Sequence, residues 1–362
     1  MDLMKERTIV SVSGYGATGA SAVIDYLKGF DSVDVFDDFE FQIHYFPDGI
    51  SDLDYALNES CSRFYDSDVA ISRFLDLCRN LDRWYEPAFH GELYSMALEY
   101  IDSLHPVKWT GYWAYDRLNT PQQDIDAHYA ANDRAAIKNR YRSFVNRFLR
   151  KLDLPQIRLK EYMQYSDFFE SRPMYMSVKP DNFYTETRLF SERLIECTSH
   201  SDAPIKVVNM LLPPQNPVKY HRYFNSPVKS IVVNRDPRDL YIHVKLPKWK
   251  VVPYEEVRSF IDWYKENMKS IIRDESVLRI NFEDLIYDNH KTTQQVNDFL
   301  GIDELPNGKS TFNPHVSVAN TQHFNRFPQF ENDIKEIERE LSPFLYDFSS
   351  HETVERITNE IF

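Results

Sequence analysis

The chain has little from which to build a disulfide scaffold: its 362 residues include three cysteines, Cys61, Cys78 and Cys197. Three thiols cannot all pair within one chain, and their positions show no CxxC or metal-ligand spacing. Free thiols in a reducing, cytoplasmic setting are the expectation. Basic charge is also short, with 42 Lys and Arg against 56 Asp and Glu and a net charge of −14. A polyanion partner needs a dominant basic face, so the net charge argues against broad nucleic-acid binding, and a basic patch could be local only. Long apolar runs are missing too. The N-terminal MDLMKERTIVSVSGYGATG breaks into glycines after a short apolar stretch, unlike a signal peptide or an anchor, and no later run approaches the roughly 20 apolar residues of a spanning helix. Contact with a membrane could then be peripheral only. Internal repeats and low-complexity tracts are absent.

What is present suits a packed core, with 42% hydrophobic and 15% aromatic residues. Residues 7 to 13, RTIVSVS, form a β-branched run that ends in glycines, and AVIDYLKGF follows with apolar residues at helical spacing. VDVF at 33–36 reads as a second strand. IKVVNM at 205–210, VKSIVVN at 228–234 and VLRIN at 277–281 read as further strands, each followed by a helix-compatible segment. Alternating strands and helices imply a parallel sheet. From about 51 to 200 strand signals nearly vanish and long polar and aromatic helical stretches take over. The expectation is one α/β domain, with its core in residues 1–50 and 201–362 and a helical insertion walling the acceptor side. Within that insertion nine Lys or Arg residues stand against the single acid Asp153 between Arg134 and Lys160. This stretch is either a solvated face or a docking surface for an anionic acceptor or an anionic membrane.

Between the first strand and the first helix lies Gly14-Tyr15-Gly16-Ala17-Thr18-Gly19-Ala20-Ser21. In that context backbone N–H groups and a helix N-terminus cradle a phosphate. The spacing is that of a P-loop, with Ala20 in the lysine position. A kinase or ATPase uses that lysine on the β- and γ-phosphates, so its absence speaks against phosphoryl transfer. Gly16, Ala17, Thr18, Gly19, Ala20 and Ser21 are the candidate phosphate-binding residues, with hydroxyls from Thr18 and Ser21.

A second anchor closes the strand at 228–234. There PVKSIVVNRDPRDLYIH places Arg235, Asp236, Pro237, Arg238 and Asp239 ahead of a helix. Helix-start rules explain Asp236 and Pro237 but not Arg235. The segment resembles the RDPRD motif of sulfotransferases dependent on PAPS (3'-phosphoadenosine 5'-phosphosulfate). In that family the leading arginine, with a serine eight positions later, holds the 3'-phosphate. Here Arg235 matches, and His243 stands where the serine would be. VLRINFEDLIYDNHKTTQQVNDFLGI and SVANTQHFNRF resemble later family segments, the second being similar to a nucleotide-covering loop and adding Asn325 and Arg326. The resemblance spans about residues 7–46 and 203–348 and is nearest to bacterial carbohydrate-type members. It implies a P-loop fold, a three-layer parallel sheet flanked by helices, and PAPS as co-substrate with PAP as product, without a metal. The family also often carries a lysine or arginine before the glycine-rich turn, where this chain has Ala17. Lys179, Lys206, Arg326 and His323 are candidates for the replacing cation.

Sulfuryl transfer is an in-line displacement that needs a positioned acceptor, a base, and positive charge at the departing oxygen. VDVFDDFEFQIHYF offers Asp37, Asp38, Glu40 and His44. Glycan sulfotransferases carry a catalytic glutamate in a similar place, which makes Glu40 the first candidate base and His44 the second. The acceptor so implied is a hydroxyl or amino group of a carbohydrate or glycolipid. A P-loop nucleotide or sugar kinase and a catalytically degenerate PAPS-binding protein are the alternatives.

Overall fold

The computed structural model describes residues 7–60, 64–113, 133–152, 172–269 and 271–354. Five parallel strands form the central sheet: β1 (Thr8–Gly14), β2 (Val33–Phe36), β5 (Ile205–Asn209), β6 (Val228–Asn234) and β7 (Val277–Asn281), in the order β2-β5-β1-β6-β7. These are the five strands legible in the sequence. Each is a short apolar, β-branched run because both faces of the sheet are covered.

On one face Val10, Val12, Ile231, Val233 and Ile280 pack against α1 (Ala20–Leu27), α8 (Phe282–Tyr287) and α9 (Asn289–Leu300). On the other, Ile9, Phe36, Val208 and Val228 share a core with the helices of the middle third, α2 (Phe64–Trp84), α3 (Leu93–Ser103) and α5 (Phe183–Cys197). α6 (Pro237–Lys245), α7 (Val257–Lys269) and α10 (Glu331–Glu340) form a third cluster around Tyr241, Phe260 and Ile337. The architecture is thus a parallel sheet with helices on both faces. α4 (Asp133–Lys151) belongs to the middle third.

That third is not free of strands. β3 (Val107–Gly111) and β4 (Arg172–Met176) form an antiparallel ribbon, with Trp109 opposite Met174. Its strands mix charged, exposed and apolar positions and lie far apart in sequence, so neither carries the alternation that marks a strand. Buried Asp68 ties the ribbon to α2, accepting from the Tyr175 backbone N–H at 2.8 Å and from the Arg172 guanidinium at 2.7 Å. Cys78 and Cys197 are free thiols. Cys61 and the basic positions Arg158 and Lys160 lie outside the described residues. Among the described residues no helix is long and apolar enough to cross a membrane.

Candidate functional site

In an open parallel sheet, ligands bind beyond the carboxyl ends of the strands where the connection direction reverses. Here that point is β1. The chain leaves it toward β5 and β2 on one side, while β6 and β7 lie on the other. Gly14 is in register with Val233, so the glycine-rich loop after β1 and the Arg235 segment after β6 emerge side by side.

The loop closes on itself through its glycines. A Cβ on Gly14 would sit 2.0 Å from Thr18 Oγ1, and one on Gly19 would sit 2.3 Å from Phe282 Cδ2. Gly19, at φ 90°, immediately precedes α1, and Ala17 is held at φ 52°, a region L-residues rarely adopt. Thr18 is buried and its hydroxyl has no hydrogen-bond partner. Ser21 is exposed at the start of α1.

Arg235 is the centre of the arrangement. It is only 4% exposed, yet its guanidinium donates to two backbone carbonyls, Ala17 at 2.9 Å and Asn320 at 2.5 Å. The guanidinium lies 5.2 Å from the centre of the Phe282 ring. Its Nε–H is buried without a partner. A buried donor without an acceptor is costly, and an anionic oxygen beside it would remove the cost. Burial pulls the guanidinium below the ordinary arginine value, while Asp239, Glu283 and Asp236 act against that. Burial first, and the nearby guanidinium second, keep the two histidines here neutral. His243 is pushed down to about 4 by burial and then by Arg235. His323 is pushed to about 2, chiefly by burial, with Arg235 and Arg326 adding to it.

A cavity of about 600 Å³ opens here, lined among others by Ala17, Gly19, Ser21, Arg235, His243, Phe282, Asn313 and Asn320. The fold therefore brings together Ala17, Gly19, Ser21, Arg235 and His243, five of the residues singled out from sequence. Gly16 lies beside them in the loop, and Ala20 opens α1. Asn325 and Arg326 are not on the cavity wall. Asn325 is exposed, and its amide donates to Gln322 Oε1 at 3.3 Å. Arg326 bonds the carbonyls of Ala319 and Thr321 and His323 Nδ1, so it shapes the loop whose inner residues, Asn313 and Asn320, face the cavity.

Of the replacement cations, Lys206 stands at the wrong end of the sheet. It pairs with Ile9 near the start of β1 and is buried against Asp34 at 2.6 Å. Lys179 is exposed beyond β4, its backbone N–H donating to Leu57. Sequence reasoning missed the segment after α6. Gly16 packs against Val252 and Trp249, with a Cβ there 3.5 Å from Val252 Cγ2 and 3.9 Å from Trp249 Cη2. Lys248 and Lys250, on either side of Trp249 in the sequence, are both exposed. The only signal was the basic run KLPKWK after the motif helix.

Glu40 and His44 part company. Glu40 is exposed, its carboxylate accepting from Gln42 Nε2 at 2.8 Å. The next residue, Phe41, donates its N–H to Asn209 at 3.0 Å, and Met210 donates to Val12 at 2.9 Å. Glu40 thus stands on the carboxyl edge of the sheet, with β5 between it and the glycine-rich loop. His44 is fully buried against Phe41 and Phe224, its Nε2 3.0 Å from Ser191 Oγ. Burial drives it down to about 3, which keeps it neutral and shut away from any diffusing acceptor. The physical reason is that this turn buries Phe41, Ile43 and His44 in the core and leaves Glu40 facing out.

No protein-family model matches the chain, and no curated protein matches it. Among solved structures it is similar to a sulfotransferase domain from the Synechococcus PCC 7002 olefin synthase, at 12% identity and a TM-score of 0.34 over 85% of this chain and 76% of that one. It is also similar to a sulfotransferase domain from the curacin biosynthetic pathway, at 14% identity and 0.27 over 52% and 76%. A third is retinol dehydratase in complex with androsterone and the inactive cofactor PAP, at 16% and 0.19 over 53% and 57%. Among the described residues no group of three or more His, Cys, Asp or Glu could hold a metal ion.

Proposed function

We propose that the chain is a PAPS-dependent sulfotransferase. The observation that carries the reading is Arg235, a buried guanidinium with an unsatisfied Nε–H that joins the phosphate loop to the loop at 313–326 on the wall of one cavity. A nucleotide bearing a second, 3' phosphate offers that group an acceptor, whereas ADP and ATP do not. The amides of residues 16–21 and the Ser21 hydroxyl would take the 5' phosphate. The loop has no lysine, which speaks against a nucleoside triphosphate. Positive charge for the leaving oxygen, which belongs to the 5' phosphate, would come from Lys248 or Lys250 on the segment that packs against Gly16.

The acceptor side is read as a hydroxyl or amino group of a carbohydrate or glycolipid. Support comes from Glu40, an exposed carboxylate on the right edge of the sheet, and from an aromatic group in which Trp113 meets Trp109 and Tyr65 edge-on. The test is thermal stabilisation by PAP, ADP and ATP with magnesium at equal concentration. Saturation a hundredfold above Kd adds about 2.7 kcal/mol. PAP should stabilise most, and Arg235→Ala should erase its advantage over ADP. Equal shifts, or a larger one for ATP, would overturn the reading. A second reading, a degenerate PAPS-binding protein, is favoured by Ala17 and His243, which stand where the resembled family has a cation and a serine. It predicts the same PAP preference without turnover of labelled PAPS on any acceptor.

A further inference from the structure

Helix α4 carries a surface that the nucleotide site does not use. Tyr141, Phe144, Phe148 and Leu152 are 72%, 70%, 61% and 54% exposed. At 3.6 residues per turn these four side chains fall within an arc of about 80°. They form one apolar stripe turned to solvent, while Val145 and Leu149 on the adjoining arc are half-buried. Scattered exposed apolar residues are ordinary in folded proteins, but a continuous row of large ones is not. The same helix, DRAAIKNRYRSFVNRFLRK, holds seven Lys and Arg residues against the single acid Asp133. Arg147, Arg150 and Lys151 are exposed, and the helical register sets Lys151 and Arg147 along one flank of the stripe.

We propose that α4 is an interfacial helix that seats the protein on an anionic lipid surface. The charge pattern chooses the occupant. The chain as a whole carries −14, so a concentrated cationic helix is not a general solubility device. Two copies meeting through this helix would set seven cations against seven. A nucleic acid would meet the cations but leave the apolar stripe wet. An anionic bilayer satisfies both, with the aromatic stripe at the level of the acyl boundary and the flanking cations among the headgroups. The inference is independent of what the nucleotide cavity binds.

The test is sedimentation with vesicles of phosphatidylcholine alone and of phosphatidylcholine mixed in equal parts with phosphatidylserine. The whole chain should pellet with the mixed vesicles, remain in solution with the neutral ones, and be released as salt rises. Each basic residue near an anionic surface is worth about fivefold in affinity, so Arg147→Glu with Lys151→Glu should cost at least about 25-fold. Phe144→Ser with Phe148→Ser should cost at least about tenfold, since both rings would leave the acyl boundary. All four positions are exposed, so the melting temperature and nucleotide stabilisation should be kept, which separates lost docking from lost folding. Failure to pellet with the mixed vesicles, or undiminished binding by the double serine variant, overturns the proposal. So does a doubled solution mass that falls to one chain in the serine variant without any vesicle binding, since the stripe would then be an interface between copies.

Discussion

At the scale of single residues, the histidine that stands where the family has a serine offers a test of where the phosphate sits. His243 is held near 4 by burial and by Arg235. A phosphate bound to Arg235 would neutralise the charge that suppresses the ring, so its pKa should rise on binding. A group whose pKa rises in the complex takes up a proton on binding, so binding strengthens as pH falls. PAP affinity measured by calorimetry from pH 7.5 to 5.5 should therefore gain relative to a His243→Asn variant over the same range. The variant also cancels the phosphate's own titration, which is common to both proteins. Parallel pH profiles would place the 3'-phosphate away from residue 243. Glu40 and His44 allow a second comparison at this scale. Removing a positioned base costs roughly 10² to 10⁴ in rate, so Glu40→Gln should lose turnover while keeping PAP stabilisation. His44→Asn should instead lower the melting temperature, because it changes a fully buried ring bonded to Ser191. Retained turnover in Glu40→Gln would move the base elsewhere on the acceptor side.

At the scale of elements, the glycines of the loop after β1 are not equivalent. Gly16 and Gly19 both have positive φ, 83° and 90°. A Cβ at Gly16 meets its first neighbour at 3.5 Å, an ordinary contact, so Gly16→Ala should cost about 1–2 kcal/mol of backbone strain in urea denaturation. A Cβ at Gly19 would come within 2.3 Å of the Phe282 ring, which lies under the Arg235 guanidinium. Gly19→Ala should cost more than Gly16→Ala and should also weaken the preference for PAP over ADP. Equal costs would mean that the ring yields freely. The same elements explain what was legible in the sequence. β1, β6 and the residues that follow them could be read because buried parallel strands are unbroken β-branched runs, and because glycines and an Arg-Asp-Pro turn mark their ends. The β3–β4 ribbon could not, since VKWTG is exposed almost throughout and RPMYM buries Met174 and Tyr175 side by side, so neither shows alternation. Nor could the contact of Trp249 with Gly16, which exists only once α6 has been laid against the sheet. Asn325 and Arg326 lie away from the cavity wall that Asn313 and Asn320 reach, because which residues of a loop face inward is a tertiary fact.

Across the whole molecule, the Arg-Asp-Pro-Arg-Asp segment is a junction where distant parts of the chain are tied. Asp236 caps α6 through the Arg238 N–H at 2.8 Å, takes the Arg238 guanidinium at 2.8 Å, and accepts from the Tyr346 N–H at 2.8 Å. Asp239 accepts from the Gln322 N–H at 2.6 Å, which fixes the loop whose Asn320 carbonyl Arg235 holds. Glu283 accepts from the Asp236 N–H at 2.9 Å. Three buried carboxylates so close cannot all be charged at no cost, even beside Arg235. Glu283 is pushed up from 4.5 to about 8, by burial first and then by Asp236 and Asp239. Asp239 moves up from 3.8 to about 7, by burial first and then by Asp236. Between the unfolded and folded values the native state keeps protons that the unfolded chain has lost. Stability therefore declines as pH rises from about 5 toward 8, and the decline ends above the folded values. One such proton contributes a slope of at most about 1.4 kcal/mol per pH unit. Glu283→Gln retains a carbonyl to accept from Asp236 and removes the titration. Its unfolding free energy in urea between pH 6 and 8 should fall less steeply than that of the unmodified protein, by up to one proton's slope. The variant should gain most, relative to the parent, at the alkaline end. Identical slopes would show that Glu283 is not the proton holder, and that the strain of the cluster is carried by Asp239, where Asp239→Asn should then flatten the profile.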